Sequence, residues 1–444
     1  MFLKTLFKAY DIRGIYGTEL TEEFAYEFGR AFVHMLGVKE VAVGFDARNS
    51  SPKLSSELSR GIMDMGAKVI DLGMVSSDMV YFATGQYQYE AGVMATASHN
   101  PGEYNGFKAC FKDAVPIVFD SIRDFMMSGK EIKNVDNFGT ISSVNIYDDW
   151  VNFVLSFVDI EYFPKMKVVI DAGNGVAGKF CTKLFEKLPM IDLVPLYFEP
   201  DGNFPNHPAY PIQPENLVDL KGRMEQENAD LGIAFDGDAD RVVLIDSHYE
   251  EISGTVMTAM IAEMMLKKDR SQTFVYNALV GQVVSEIISK YGATGHRVRV
   301  GHTFMKQAMK EFGASFGGEH SAHYYFAKNW NADSGIIAAM IVMELLGREG
   351  KLLSVKRKEY EKYVESGEIN FKVEDIGVSI EKVKDTFKDL EHDILDGVTF
   401  YGDGFWFNVR PSNTEPLLRL NVEGDTKEIV ERVVGEVKGV LRVT

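Results

Sequence analysis

The chain is short of cysteine, of positive charge and of long apolar runs. Its two cysteines, Cys110 and Cys181, offer neither a disulfide framework nor a zinc-ligand spacing, as expected of a reducing compartment, so the expected location is the cytoplasm. Against 65 Asp and Glu stand only 47 Lys and Arg, a formal net charge of -18. That deficit argues against a nucleic-acid or anionic-membrane partner, because both need a basic surface that gains from counterion release. Any anionic ligand must therefore meet a local positive site. The apolar run GIIAAMIVM near residue 340 is far below spanning length, and the opening MFLKTLF passes straight into the charged KAYDIRG. Neither a membrane helix nor a signal peptide is expected, and nothing implies an obligate protein partner.

What is present is enough apolar material for several cores. With 444 residues, 45% of them hydrophobic, two to four domains are expected. From Val41 the chain runs strand, helix (Leu54, Leu58, Ile62, Met65), strand KVIDLG, helix, and a third strand that ends at Ser98. The same order returns from KVVIDAGNG (Lys167 to Gly175), ending with ADLGIAF and the loop DGDADR. It returns again from TFVYNALVG (Thr273 to Gly281) through HRVRVGH to ASFGGEHSAH. Each terminal loop leads into a short strand-like stretch: NGFKACF, VVLIDS and AHYYF. This repeat of pattern, without repeat of residues, predicts three similar α/β domains with mostly parallel sheets, whose ligands gather at the carboxyl ends of strands. The last portion reads as strand from Ile369, helix Ile380 to Leu390, two strands (FWFNVR and LLRLNVEG) and a closing helix, a small α+β domain. The expected domains are residues 1–145, 146–248, 249–362 and 363–444.

The polar loops carry the chemistry. In AGVMATASHNP (Ala91 to Pro101) a serine stands at a strand end with His99, Asn100 and Pro101 forcing a turn behind it, which alone is no more than turn chemistry. DGDADR places Asp236, Asp238 and Asp240 at alternate positions after a buried strand. Two such charges within 4 Å repel by about 4 kcal/mol at an effective dielectric near 20. A hard divalent cation resolves that, Mg2+ above others, with Arg241 placed to counter an anion beside it. An EF-hand is excluded, since Arg241 stands where the loop glycine belongs and Ser247 where the final Glu belongs. Two competitors remain open at this point. LGIAFDGD could present Asp236 as the nucleophile of a haloacid-dehalogenase-type phosphotransferase, although Asp240 stands where that pattern wants Thr or Val. GNGVAG (Gly173 to Gly178), with Glu199 further on, could be a dinucleotide-binding turn of a dehydrogenase. RPSNTEP (Arg410 to Pro416) clusters phosphate-binding donors, GGEHSAH offers Glu319 and Ser321 to vicinal sugar hydroxyls, and His302 with Lys306 is either an acid/base pair or a helix start. Ser98 and His99 are expected to point to opposite sides, as neighbours in an extended segment do.

Taken together and in order, TASHNP, DGDADR, GEHSAH and RPSNTEP resemble the α-D-phosphohexomutase superfamily, from KAYDIRG to Arg419. The details are most similar to bacterial phosphomannomutase/phosphoglucomutase: TASHNP, NGFK (Asn105 to Lys108), and GGEHSAHYYF followed by DSG. Phosphoglucosamine mutases usually read GEQSGH, which differs at His320 and Ala322. The resemblance implies a four-domain, heart-shaped enzyme that interconverts hexose 6-phosphate and hexose 1-phosphate through a 1,6-bisphosphosugar. It implies phosphoserine at Ser98, and Mg2+ held by that phosphate and by Asp236, Asp238 and Asp240. It assigns Glu319 and Ser321 to sugar hydroxyls and Arg410, Ser412, Asn413, Thr414 and Arg419 to the distal phosphate. Arg13, Lys108, Arg241 and His302 would surround the transferring group, with His99 orienting the loop. Some dual-specificity members carry a lysine after the first strand of the third domain; YNALVG has none, which bears on mannose against glucose preference.

Overall fold

A computed structural model describes residues 5–8, 11–133, 135–412 and 417–441. The first domain is built on a six-stranded mixed sheet in the order Ile12–Ile15, Tyr104–Phe111, Ala91–Ala95, Glu40–Phe45, Lys68–Met74, Ile141–Ser143. The three strands of the repeating pattern pair in parallel. The returning strand Tyr104–Phe111 runs antiparallel to Ala91–Ala95, with Lys108 opposite Met94. Helix Glu22–Leu36 begins where the Thr21 hydroxyl accepts from the Phe24 N–H and ends at the left-handed Gly37, both ordinary caps. Its Phe24, Phe28 and Phe32 enter one core with Phe107 and Phe119. It lies against helix Ser51–Asp64 at backbone distance, because a Cβ on Gly29 would strike the Leu58 carbonyl and one on Gly61 the Tyr26 carbonyl.

The second domain repeats the plan with strands in the order Val242–Asp246, Leu231–Phe235, Met166–Asp171, Ile191–Leu196, the first antiparallel to the second and the rest parallel. Leu231–Phe235 is buried along its whole length, as a central strand covered on both faces must be. In the third domain Thr273–Asn277 pairs in parallel with Thr294–Val298 and Phe316–Gly318, while Tyr324–Phe326 pairs antiparallel with Ala332–Asp333. The last domain is an antiparallel sheet against helices Ile376–Thr386 and Lys427–Leu441, its core formed by Phe371, Phe400, Phe407, Leu418, Leu420 and the valines of the closing helix. By compactness the chain falls into two units, Met1–Ile252 with Ser321–Ser354, and Ser253–His320 with Val355–Thr444.

Local boundaries differ from expectation in three places. The third-domain strand is Thr294–Val298, not HRVRVGH; Gly301 breaks the strand and His302 opens the helix His302–Phe312. In the last domain the helix is Ile376–Thr386, earlier than Ile380 to Leu390, because Asp375 caps it by accepting from the Val378 N–H. A hairpin of Glu391–Asp393 and Val398–Gly402 follows, unforeseen because its first strand is only three charged and polar residues. Among the described residues no helix is long and apolar enough to cross a membrane.

Candidate active site

In the first unit, three neighbouring strands deliver Arg13, Lys108 and Ser98 toward one place. Ser98 follows the buried strand Ala91–Ala95 and takes a left-handed backbone, φ +51°, strained for a residue with a side chain. The loop that holds it there hangs on Arg48. This guanidinium, fully buried, donates to the carbonyls of Ser98 (2.7 Å), Asn100 (2.6 Å), Pro101 (2.6 Å) and Tyr104 (3.0 Å). Asp46 is its counter-charge at 3.0 Å and also accepts from Thr96 Oγ1 at 2.8 Å, whose oxygen takes the Ser98 N–H. A buried cation with every partner supplied is a rigid peg.

The Ser98 hydroxyl donates to Asp236 Oδ2 at 2.9 Å and lies 3.3 Å from His99 Nδ1. The second contact corrects the expectation that the two side chains diverge: that rule holds for extended backbone, and Ser98 is left-handed. His99 stacks on Tyr210 with centroids 4.4 Å apart. Burial, with Arg241 and Arg13 nearby, keeps the His99 imidazole well below its ordinary pKa, hence neutral.

Asp236, Asp238 and Asp240 are buried, and one oxygen from each lies within 4.8 Å of the others. Lys108 Nζ donates to Asp238 Oδ2 (2.7 Å) and Asp240 Oδ2 (2.6 Å), and Ser77 Oγ to Asp238 Oδ2 (2.6 Å). Arg241 lies 3.7 Å from Asp236 and donates from Nε to His323 Nε2 at 3.0 Å; His323 Nδ1 meets Ser321 Oγ at 3.1 Å. Burial, then Asp240 and Asp238, drives the Asp236 carboxyl well above the usual range. Burial acts on Asp240 too, but Lys108, His323 and Arg241 outweigh it and hold that carboxyl low. Lys108 gains from its two carboxylates more than burial takes away, and stays charged. The donor set is all oxygen, and Asp238 Oδ1 and Asp240 Oδ1 are buried without a hydrogen bond among the described residues. The cluster therefore fits a hard divalent cation. Arg13 bonds to Asn100 Oδ1 and to Asp11 at 2.6 Å.

The remaining predicted residues lie in the second unit or on its boundary. Glu319 accepts from Asn277 Nδ2 and from the Gly301 N–H, both at 3.2 Å. His302 is the first residue of its helix. Arg410 and Arg419 face each other across an antiparallel pair and share Glu368, at 3.3 and 3.1 Å. Like charges opposite one another are unfavourable in a sheet, and two guanidiniums on one carboxylate form a site that an anion can take. Ser412 donates its N–H to the Leu417 carbonyl; Asn413 and Thr414 lie outside the described residues. GNGVAG makes no dinucleotide crevice. Its Val176 N–H bonds to the Gly237 carbonyl and a Cβ on Gly175 would crowd that same residue, so the turn packs against the DGDADR loop.

Four family models, the phosphoglucomutase/phosphomannomutase α/β/α domains I, II and III and the C-terminal domain, match residues 4–130, 148–250, 253–363 and 368–440. The chain belongs to the phosphoglucomutase/phosphomannomutase family. Among relatives of this family, a phosphomannomutase of Methanocaldococcus jannaschii is 38% identical over 98% of this chain and 97% of its own. One from Escherichia coli K12 is 35% identical over 94% of each. A phosphoglucomutase/phosphomannomutase family protein of Burkholderia thailandensis superposes with a TM-score of 0.90 at 29% identity, covering 99% of this chain and 97% of its own. A more remote fold neighbour, the N-acetylphosphoglucosamine mutase of Aspergillus fumigatus (TM-score 0.60, 12% identity, 93% and 79% covered), was crystallised with GlcNAc-6P and magnesium. This family member is an isomerase, a hexose phosphate mutase.

Asp46, Arg48, Ser77, Tyr210 and His323 take part in the site without having been singled out. His323 closes the sugar-loop motif and Asp46–Arg48 ends a buried strand with two charges, a signal that could have been read. Tyr210 has none.

Proposed function

We propose that Ser98 is the phosphoryl carrier of this mutase and that hexose phosphate is its substrate. The observation that supports this is the Ser98 hydroxyl 2.9 Å from Asp236 inside a buried, cation-hungry carboxylate cluster. Asp236, Asp238 and Asp240, with an oxygen of the Ser98 phosphate, would hold Mg2+, which when bound supplies charge neutralisation on the transferring group. In the forward half-reaction the Ser98 Oγ–P bond breaks and a P–O bond forms to a free sugar hydroxyl, whose proton leaves to a neighbouring base. The resulting 1,6-bisphosphosugar turns over, and its other phosphate returns to Ser98 Oγ while the departing sugar oxygen regains a proton. Lys108, Arg241, Arg13 and neutral His99 line this exchange, with His323, tied to Arg241 and Ser321, added to the set. Glu319 and Ser321 take sugar hydroxyls, His302 a place beside the transferring group, and Arg410, Arg419 and Ser412 the distal phosphate. The same reading divides the chain at residues 145, 248 and 362 and places it in the cytoplasm.

Intact mass and phosphopeptide mapping test the carrier: a phosphate on Ser98, and loss of nearly all activity in Ser98→Ala, are expected. A phosphate on Asp236 with an active Ser98→Ala would favour the dehalogenase-type alternative instead. Assay of mannose 1-phosphate against glucose 1-phosphate, with a bisphosphosugar activator, decides the sugar, and EDTA is expected to abolish turnover. An unchanged rate after chelation would remove the metal from the mechanism.

A further inference from the structure

We infer that Lys108 and the divalent cation compete for the same two carboxylates, so that loading the metal and releasing the Lys108 ammonium are one event. This rests on the reading of Asp236, Asp238 and Asp240 as the metal site. The ammonium sits 2.7 Å from Asp238 Oδ2 and 2.6 Å from Asp240 Oδ2, spanning the two carboxylates as a cation held between them would. It is an imperfect substitute. An ammonium donates along three directions and cannot gather oxygens from all sides, and the second oxygens of Asp238 and Asp240 are left buried with no hydrogen bond among the described residues. Each carboxylate thus keeps one buried oxygen with no donor, whereas a hard divalent ion takes six or more oxygens.

The neighbouring Arg241 and His323 side chains do not reach these carboxylates. The Arg241 backbone N–H donates to Asp236 Oδ1 at 3.2 Å, but its guanidinium stands 3.7 Å from Asp236 Oδ2 and the His323 ring 3.7 Å from Asp240 Oδ1, both beyond hydrogen-bond reach. A divalent ion drawn to the Oδ2 pair meets the ammonium there, and the repulsion of two cations in a buried site is large. The ion with the higher charge displaces the ammonium. Lys108 rides on the strand antiparallel to Ala91–Ala95, the strand that leads to Ser98, so the freed group stays at the Ser98 end of the sheet. Until the cation arrives, Lys108 would be held in its ion pair with Asp238 and Asp240. Lys108 becomes a positioning and charge-supplying group only after the cation arrives.

The test is Mn2+ binding to the dephosphorylated full chain, followed by electron paramagnetic resonance of the free ion. Removal of the competitor in Lys108→Met should tighten Mn2+ about tenfold or more, by the Coulomb term that the ammonium no longer imposes, while Asp238→Asn weakens it. Equal or weaker binding by Lys108→Met, with Asp238→Asn still impaired, overturns the competition but leaves the metal site standing. If Asp238→Asn binds as the parent does, both readings fall. Should Lys108→Met not fold without metal, the parent itself answers. Acylation of Lys108 by an amine-directed reagent, mapped by mass spectrometry, should quicken when Mn2+ is added; an unchanged or slower rate overturns the proposal.

Discussion

Tyr210 joins two residues that stand 142 positions apart in the sequence, 99 and 241: it stacks on His99 at 4.4 Å and 27°, and the Arg241 guanidinium stands 5.7 Å from the centre of the same ring. A ring stack and a cation over an aromatic face are worth about 0.5 to 2 kcal/mol each. Losing both should slow phosphoryl transfer roughly tenfold, because His99 and Arg241 would lose their common support while the residues proposed to hold the sugar and the distal phosphate are untouched. The ring makes both contacts, so Tyr210→Phe should keep nearly full kcat, and Tyr210→Leu should lower kcat with little change in KM. Steady-state kinetics of the two variants check it; equal loss in both would put the hydroxyl, not the ring, in charge. The residues that the sequence pointed to and the structure brings together, Ser98 and the three aspartates, are the ones whose chemistry is local: a hydroxyl at a strand end, carboxylates two apart. Arg48 and Tyr210 act through partners about 50 and 110 positions away, and no spacing in the chain announces such a pairing.

Helix Gly254–Lys268 carries a charge that its neighbours hold in place. Glu263 accepts from Lys356 Nζ at 3.0 Å and from the Tyr360 hydroxyl. Burial presses its carboxyl upward, but the Tyr360 and Lys356 bonds prevail and lower its pKa from 4.5 to about 2. A depressed acid stabilises the fold above its unfolded value and loses that contribution as pH falls. Acid unfolding should therefore steepen between about pH 4.5 and 2, and Glu263→Gln should cost about 2 kcal/mol at neutral pH, the scale of hydrogen bonds to a charged group. In the variant that acid limb should be flatter. Urea titrations at pH 7 and pH 3.5 measure both; a variant whose deficit is the same at each pH would show the charge to be irrelevant. At this scale the sequence was read well where apolar period and helix start agree, as in helix Ser51–Asp64, with Pro52 in its first turn and Leu54, Leu58 and Ile62 buried. It was read poorly where they part. In the last domain Asp375 starts the helix four residues before the expected position, ahead of Ile380, and the polar Glu391–Asp393 strand owes its existence to pairing with Val398–Gly402, which no period of its own encodes.

For the whole molecule the governing quantity is the net charge of -18. A hexose phosphate is itself an anion, so the long-range field repels it. The groups proposed to attract it, Lys108, Arg241 and Arg410, are largely buried and paired with carboxylates, and would act only at contact. Salt distinguishes the two effects, since screening removes interactions beyond about 10 Å at 0.1 M but reaches buried pairs far less. Raising a non-coordinating salt from about 10 to 100 mM should therefore increase kcat/KM for the sugar phosphate, by about two- to threefold if the repulsive field governs encounter. A glucose analogue without phosphate should bind with no such dependence. Stopped-flow or steady-state rates across that range, at fixed free Mg2+, give the slope. A steep fall with salt would mean that a local positive field reaches into solvent and steers the substrate despite the acidic surface, and the buried cations would then have to be more open to solvent than their ion pairs indicate.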